Sequence, residues 1–255
     1  MKKYISDFTV VEKQTYGQQY FKLVLKHPDV LPEIAPGQFV EVEVKDNKNV
    51  YLRRPISIHC FDAEKNEIGF LVQVVGDGTR WLASLAVGDK VNVLLPLGNG
   101  FTMPQSADAR LLLVGGGVGS APLYGLAQEL KRRGNDFVIL IGARSAKDLY
   151  RCSEFEALGR VEYTTEDGSL GEKGYVTNHS VLNEKFDYIY TCGPKPMMMA
   201  VAKYARENSI PCEASLENKM ACGLGACLCC VEDTKEGHKC VCTDGPVFSI
   251  DDLKW

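Results

Sequence analysis

Segments in which apolar and polar residues alternate dominate the first hundred residues of the chain. The pattern is clear in three segments: residues 38–44, 68–74 and 90–94. It is typical of strands that bury one face. Turn signals separate such segments: Pro36-Gly37, Asp46-Asn47 and Gly88-Asp89. Residues 79–85 have the pattern of a short helix. Many short strands at this spacing predict an antiparallel barrel or sandwich.

Continuous apolar runs characterise the chain beyond residue 110. They indicate strands buried on both faces, as in a parallel sheet, and occupy residues 111–114, 137–141 and 188–190. Helical patterns accompany them over residues 122–133 and 195–208. This alternation predicts a doubly wound α/β domain. A polar stretch with Gly and Pro marks the boundary, so we predict three parts: residues 1–100, 101–210 and a cysteine-rich tail, 211–255.

Composition and charge narrow the class of protein. Of 255 residues, 45% are hydrophobic and 24% charged, as in ordinary globular proteins. The formal net charge of -4 gives no basic excess that would indicate nucleic acid binding. No run is apolar enough to span a membrane, and the N-terminal segment is too polar for a secretory signal. We therefore expect a cytoplasmic protein that binds neither nucleic acid nor membrane.

A glycine-rich loop follows the first apolar run of the second half. Its glycines are Gly115, Gly116, Gly117 and Gly119. Glycines permit a tight turn and close approach to a pyrophosphate, and the following helix offers free N–H groups. A plain strand-to-helix turn is the alternative, but the context favours a dinucleotide site. A second loop contains Cys192, Gly193 and Pro194, at a position that lines the ligand crevice of an α/β sheet. By itself, Cys192 fits a small buried residue.

Two adjacent arginines, Arg53 and Arg54, precede a short apolar strand in the first part. Neighbouring strand residues face opposite ways, so one of the two can face a given cleft. A guanidinium there suits a phosphate group, although a solvated surface arginine is the alternative. Residues 76–79 (GDGT) precede a predicted helix and are either a second anion-binding segment or a turn.

Six of the ten cysteines lie close together near the C-terminus: Cys222, Cys227, Cys229, Cys230, Cys240 and Cys242. Because a reducing compartment disfavours disulfides, such a cluster indicates metal ligands. The spacing C-x4-C-x2-C, with a distant fourth cysteine, is typical of a [2Fe-2S] cluster of the plant-ferredoxin kind. A zinc site more often has two CxxC pairs, and a CxxC redox pair leaves the other cysteines without a role. Spacing alone does not choose between Cys240 and Cys242.

Together these motifs resemble the ferredoxin-reductase superfamily and, within it, the electron-transfer subunits of dihydroorotate dehydrogenase B. The resemblance covers essentially the whole chain. The superfamily's flavin motif, R-x-[YF]-S, resembles Arg54, Pro55, Ile56 and Ser57, with Ile56 at a position that is often aromatic. Its other flavin-contacting stretches match Val72, Gln73, Val74, Gly78 and Thr79. The resemblance implies that the arginine holds the FAD pyrophosphate and that the serine approaches the isoalloxazine ring.

The remaining motifs extend this resemblance. The loop from Gly115 to Pro122 resembles the GGGxGxAP nicotinamide-nucleotide loop, and residues 192–197 resemble CGPxxM, whose cysteine lies near the nicotinamide. The tail resembles MACGxGACxGC followed by VCxxGPVF, which implies four cluster ligands: Cys222, Cys227, Cys230 and Cys242. Cys229, where the family usually has glycine, and Cys240 are expected not to be ligands.

The implied protein has an antiparallel FAD-binding β-barrel, an NAD-binding parallel-sheet α/β domain and a small iron–sulfur subdomain, with the nicotinamide held against the flavin. The implied partner is the FMN-containing dihydroorotate dehydrogenase catalytic subunit, in a heterotetramer. Electrons would run from dihydroorotate through FMN, cluster and FAD to NAD in pyrimidine biosynthesis. No side chain is assigned as a general acid or base. NAD rests on the resemblance alone, since Arg144 and Ser145 leave the 2′-phosphate of NADP open.

Two other functions compete. The first is a reductase subunit of a sulfide dehydrogenase, ferredoxin:NADP oxidoreductase or hydrogenase complex, which has the same layout. The second belongs to another class of protein, a zinc-stabilised interaction protein with a nucleotide-sensing domain.

Overall fold

A computed structural model describes residues 2–45, 48–149 and 152–255 of the chain. The predicted turn at Asp46-Asn47 lies outside the described residues. The chain forms two compact units, each built from three segments. The first unit comprises Met1–Gly100, Asn218–Glu232 and His238–Pro246. The second comprises Phe101–Glu217, Asp233–Gly237 and Val247–Trp255. The cysteine-rich tail therefore contributes residues to both units.

The first unit contains a seven-stranded antiparallel sheet with the order β4-β3-β7-β1-β2-β6-β5. Its strands are β1 (Tyr4–Tyr16), β2 (Tyr20–Lys26), β3 (Phe39–Val42), β4 (Arg54–Ser57), β5 (Cys60–Asp62), β6 (Glu67–Gln73) and β7 (Lys90–Leu97). Helix α1 (Asp77–Ser84) follows β6. The edge strand β4 also contacts β6, which bends the sheet into a half-barrel. The structure confirms the predicted antiparallel fold.

Strand β3 departs from the predicted pattern of one buried face. Val40 and Val42 point into the core of the unit, as the alternation predicts. The intervening positions are buried too, so all four residues of β3 are inaccessible. The prediction of a half-buried strand is wrong here because the cysteine-rich tail covers the outer face. Gly223 of the tail lies against Glu41 of β3 and Leu97 of β7.

The second unit contains a seven-stranded sheet with the order β11-β10-β9-β8-β12-β13-β16. Its strands are β8 (Arg110–Gly116), β9 (Asp136–Ala143), β10 (Arg160–Thr165), β11 (Glu172–Lys173), β12 (Tyr188–Cys192), β13 (Cys212–Ser215) and β16 (Val247–Ser249). All neighbours are parallel except β13 and β16. The helices are α2 (Ala121–Arg133), α3 (Cys152–Glu156) and α4 (Lys195–Glu207). Two further strands, β14 (Val231–Thr234) and β15 (Gly237–Cys240), form a small separate sheet.

The apolar runs explain this sheet. Residues 111–114 of β8 are buried on both faces because strands flank them and helices cover them, as in other parallel sheets. Helix α2 has Pro122 in its first turn and ends at Gly134, whose φ of 79° closes the helix in the left-handed conformation. Both features confirm the α/β prediction, whereas the antiparallel addition of β16 was not predicted. None of the helices in the described ranges has the length and apolar composition that crossing a bilayer requires.

Candidate functional site

Arg54, the predicted phosphate ligand, lies at the N-terminus of helix α1. Its side chain packs directly against Gly78 in the first turn of that helix. The turn is fixed by the Thr79 hydroxyl, whose Oγ1 accepts hydrogen bonds from the N–H groups of Val75 and Gly76 at 2.9 and 3.0 Å. A guanidinium beside a helix N-terminus suits an anionic group such as a pyrophosphate.

Arg53 has a different environment. Its Nη1 donates to the backbone oxygens of Glu41 and Asn92, both at 3.3 Å. Its Nη2 donates to Oδ1 of Asn92 at 2.6 Å. Protein acceptors therefore already bind this guanidinium. The opposite orientation of neighbouring strand residues accounts for the contrast with Arg54.

The other predicted flavin residues lie on the same part of the half-barrel. Pro55, Ile56 and Ser57 are half-buried on the edge strand β4. Val72 and Gln73 end β6, which β4 contacts, and Val74 follows directly. Their arrangement is compatible with one elongated cofactor, and their individual contacts with FAD stay predictions.

The two predicted nucleotide loops of the second unit touch each other. Gly119 packs against Gly193 so closely that a Cβ on Gly119 would collide with the Cα of Gly193. A Cβ on Gly116 would lie 2.8 Å from Cδ of Pro194 and 2.6 Å from Sδ of Met197. The glycines thus bring the β8–α2 and β12–α4 loops together. Both loops lie at the carboxyl ends of neighbouring strands, where open α/β sheets bind ligands.

Cys192 is fully buried at the end of β12, where it pairs with Gly115 of β8. Its Sγ lies 4.0 Å from Oε1 of Glu217. Burial and, secondarily, the charge of Glu217 hold the pKa of this thiol well above its ordinary value. Cys192 is therefore a neutral thiol rather than a thiolate nucleophile. Sequence reasoning missed Glu217, because the strand β13 that precedes it was not predicted.

The four cysteines predicted as cluster ligands approach each other in two pairs within the first unit. The thiols of Cys222 and Cys227 lie within hydrogen-bonding reach of each other, and so do those of Cys230 and Cys242. Two thiolates for each iron are what a [2Fe-2S] cluster needs. Among residues 2–45, 48–149 and 152–255, no three His, Cys, Asp or Glu side chains come close enough to hold a single metal ion.

Backbone N–H groups point at three of these sulfurs. The N–H of Leu224 donates to Sγ of Cys222 at 3.3 Å, and that of Gly225 to Sγ of Cys242 at 3.2 Å. The N–H of Cys242 itself donates to Sγ of Cys230 at 3.4 Å. Although burial opposes ionisation, the N–H donors around Cys222 lower the pKa of its thiol to about 6. Such donors stabilise thiolates and so fit an iron–sulfur site.

The environment of the fourth ligand separates Cys242 from Cys240. Both thiols lie within hydrogen-bonding reach of Cys230. The sulfur of Cys242 is buried and receives an N–H, whereas Sγ of Cys240 lies 4.0 Å from the carbonyl oxygen of Gly225. A carbonyl repels a thiolate and accepts a bond from a thiol. Burial raises the pKa of both thiols, that of Cys242 to about 12, so the distinction rests on the N–H donated to Cys242 and the carbonyl oxygen beside Cys240, which together favour Cys242 as the ligand.

Comparisons with known proteins agree with this organisation. Residues 7–101 match a model of the oxidoreductase FAD-binding domain. Residues 113–203 match the oxidoreductase NAD-binding domain. Residues 217–254 match the iron-sulfur cluster binding domain of dihydroorotate dehydrogenase B.

Two relatives match this chain over nearly its whole length. The electron transfer subunit of dihydroorotate dehydrogenase B (NAD(+)) from Fusobacterium nucleatum subsp. nucleatum is 37% identical, over 98% of both chains. The corresponding subunit from Geobacillus kaustophilus is 40% identical, over 94% of this chain and 95% of the relative.

Solved structures confirm the fold. The NADH-dependent reduced ferredoxin-NADP oxidoreductase, a structure concerned with flavin-based electron bifurcation, superimposes with a TM-score of 0.86 at 32% identity, over 97% of this chain and 90% of that chain. The ferredoxin reductase in carbazole 1,9a-dioxygenase shares the fold, with a TM-score of 0.70 at 21% identity, over 83% of this chain and 68% of that chain.

Proposed function

The chain belongs to the family of electron transfer subunits of dihydroorotate dehydrogenase B, and from this membership we propose that it passes electrons from an FMN-containing catalytic subunit through a [2Fe-2S] cluster and FAD to NAD. The partner would oxidise dihydroorotate to orotate in pyrimidine biosynthesis. The observation that carries the proposal is the order of three matched segments, for FAD, NAD and this family's iron–sulfur domain, in one chain.

The FAD site would lie along β4, the end of β6 and the start of α1. Arg54 and the free N–H groups of α1 would bind the pyrophosphate, because both present donors at the same place. Ser57, at the end of β4, would face the isoalloxazine ring. When bound, FAD supplies the exchange between two-electron hydride transfer and one-electron transfer.

The NAD site would lie at the touching loops of the second unit. The β8–α2 loop presents the N-terminus of α2 to the pyrophosphate. At the end of β9, where the adenosine ribose binds in such sheets, the hydroxyl of Ser145 donates to Oδ2 of Asp148 at 3.1 Å. The negative charge of Asp148 opposes a 2′-phosphate, whereas the exposed Arg144 at the same strand end would attract one, so the proposal of NAD rests on the relatives.

The cluster would be held by the two thiol pairs described above. Each pair would bind one iron, and the N–H donors of Leu224 and Gly225 would stabilise the negative charge on the sulfurs. Cys227 is exposed, so the part of the cysteine loop around it would be accessible to the partner subunit. No described side chain is required to transfer a proton in this function, so the residues bind and orient the redox groups.

The decisive experiment is to purify the chain anaerobically with its native partner and to measure dihydroorotate-dependent reduction of NAD. The proposal predicts iron, sulfide and FAD in the purified complex and NADH formation only when both subunits are present. Cys230→Ser should abolish NADH formation, whereas the neighbouring Cys229→Ser should retain it. Zinc without iron, or activity of the Cys230→Ser variant equal to wild type, would contradict the proposal.

A second candidate function is a reductase subunit of a ferredoxin-NADP oxidoreductase. It is favoured by the similarity to the NADH-dependent reduced ferredoxin-NADP oxidoreductase, which extends over 97% of this chain. Under this alternative, the partner that co-purifies would exchange electrons with ferredoxin and NADP rather than with dihydroorotate. The identity of the co-purified chain and the two substrate assays distinguish the functions.

A further inference from the structure

The acidic residue Glu41 is completely buried in the middle of strand β3. Neither of its carboxyl oxygens has a hydrogen-bond partner among residues 2–45, 48–149 and 152–255. A buried carboxyl group without partners is costly, since burial without a compensating hydrogen bond removes its hydration. Such a group in a folded protein therefore calls for a functional reason.

Glu41 lies between the predicted flavin motif and the predicted cluster loop, within the first unit. On one side, β3 pairs with β4, so that Glu41 is opposite Pro55 and its neighbour Val42 is opposite Arg54. On the other side, it packs against Gly223, which directly follows the first predicted ligand. A Cβ on Gly223 would lie 2.8 Å from Cγ and 3.4 Å from Oε1 of Glu41.

Three charged or ionisable groups act on this carboxyl group. Burial raises the pKa of Glu41 to about 7, the positive charges of Arg54 and Arg53 oppose that rise, and the charge of Cys222 adds to it. Glu41 thus interacts electrostatically with the first proposed cluster ligand, with Arg54 of the flavin motif and with the neighbouring Arg53. In an interior of low dielectric constant, such interactions are stronger than in water.

Protein atoms alone close both carboxyl oxygens off from solvent. A ligand therefore has no route to them, and contact with a bound cofactor does not explain the residue. Glu41 can therefore affect a neighbouring redox centre only through a long-range electrostatic interaction. Adding an electron to a centre costs more when a negative charge is buried nearby.

We propose that the buried charge of Glu41 lowers the reduction potential of the iron–sulfur centre held by the adjacent loop. This inference rests on the proposed cluster site and names a residue of the flavin half-barrel as its electrostatic partner. Glu41 touches no reacting atom, so it tunes the centre rather than acting as a catalytic residue. A more negative cluster potential favours onward transfer of the electron to the flavin.

The test is a redox titration of the full-length, cluster-loaded chain, followed by electron paramagnetic resonance of the reduced centre. Wild type is compared with Glu41→Gln across a pH series that extends well above the ordinary pKa of a carboxyl group, and the comparison is made where the wild-type potential no longer changes with pH. The expected result is a positive shift of the midpoint potential in Glu41→Gln. Glu41→Asp keeps the charge and should stay close to wild type.

Glu43→Gln is the matched control, because Glu43 follows the same strand but is partly exposed and pairs with Lys45 at 3.8 Å. It should leave the potential unchanged. An unchanged potential in Glu41→Gln, or the same shift in Glu41→Asp, would overturn the inference while leaving the proposed function intact. If Glu41→Gln fails to load a cluster, the Glu41→Asp variant is the deciding measurement. A cluster with the wild-type potential in Glu41→Asp supports an effect of the carboxylate charge on the potential, and failure of Glu41→Asp to load a cluster refutes that effect. Wild-type protein without a [2Fe-2S] signal would overturn both proposals.

Discussion

Replacing Arg54 with alanine is expected to weaken FAD binding far more than replacing Arg53. Arg54 lies against Gly78 at the start of α1, beside the proposed pyrophosphate position, and its Nη1 donates one hydrogen bond to the backbone oxygen of Arg53 at 3.3 Å. The donors of Arg53 are already bound by the backbone of Glu41 and by Asn92, at 2.6–3.3 Å. The two variants remove the same side chain from adjacent positions, so each is the control of the other.

The magnitude follows from the bonds that each variant loses. One hydrogen bond from a guanidinium to a charged acceptor contributes about 1.5–3 kcal/mol. Its loss in Arg54→Ala raises the dissociation constant for FAD about 10- to 150-fold. Arg53→Ala loses bonds within the protein instead, so it should lower the free energy of unfolding of the half-barrel and change FAD affinity by less than about threefold.

Flavin fluorescence measured while apoprotein is titrated with FAD gives the dissociation constants, and circular dichroism during urea unfolding gives the stabilities. Arg54→Lys separates charge from geometry, because lysine keeps the charge but lacks the planar fork. It should fall between wild type and Arg54→Ala. Equal FAD affinities for Arg54→Ala and Arg53→Ala, or a larger loss in the latter, would refute the assignment of Arg54.

Three further outcomes are expected. Serine at any one of the proposed ligands should abolish the cluster, as measured by iron and sulfide analysis, whereas Cys240→Ser should retain the cluster. A full iron content in Cys242→Ser would refute Cys242 as the fourth ligand. Gly119→Ala should raise the dissociation constant for NADH at least about tenfold in a fluorescence titration, because its Cβ would push the two nucleotide loops apart; an unchanged constant would refute the close contact. Gly223→Ala should lower the free energy of unfolding by about 2–5 kcal/mol, of which about 1–2 kcal/mol comes from its φ of 66° and about 1–3 kcal/mol from the clash with Glu41. Gly134→Ala is the control: Gly134 has a φ of 79°, and no described atom other than its neighbours in the chain would lie within 4 Å of a Cβ there, so this variant should lower the free energy of unfolding by only about 1–2 kcal/mol.

Periodicity predicted most of the fold because its strands and helices are regular along the sequence. Strands β8, β9 and β12 were predicted because each contains a continuous apolar run, whereas β10, β11 and β13 lack such a run and were not predicted. The complete burial of strand β3 was not predicted, because its polar position Glu41 has the sequence pattern of a solvent-facing residue. What buries Glu41 is Gly223, some 180 residues away in the chain, and no local pattern reports such a contact.

The same limit applies to the sites. Motif spacing was sufficient to predict the glycine loops and the cysteine cluster, because the chemistry of those sites is concentrated in short segments. The contact of Cys192 with Glu217 joins two strand ends that are distant in sequence. The choice between Cys240 and Cys242 depends on which sulfur receives the N–H of Gly225, and that is a property of the folded loop.

The segment that carries the proposed fourth ligand, Cys242, is attached to the flavin-binding unit by hydrogen bonds. Asn99, just after β7, fixes the segment that carries Cys242: its N–H donates to the oxygen of Gly245 at 2.6 Å. Its Nδ2 donates to the backbone oxygens of Thr243 and Asp244 at 3.2 and 3.0 Å. The predicted FAD residues and the predicted cluster ligands thereby belong to one compact unit. Under the proposed function, the cluster and FAD would therefore be held by residues of the same compact unit, and their separation would be set within that unit.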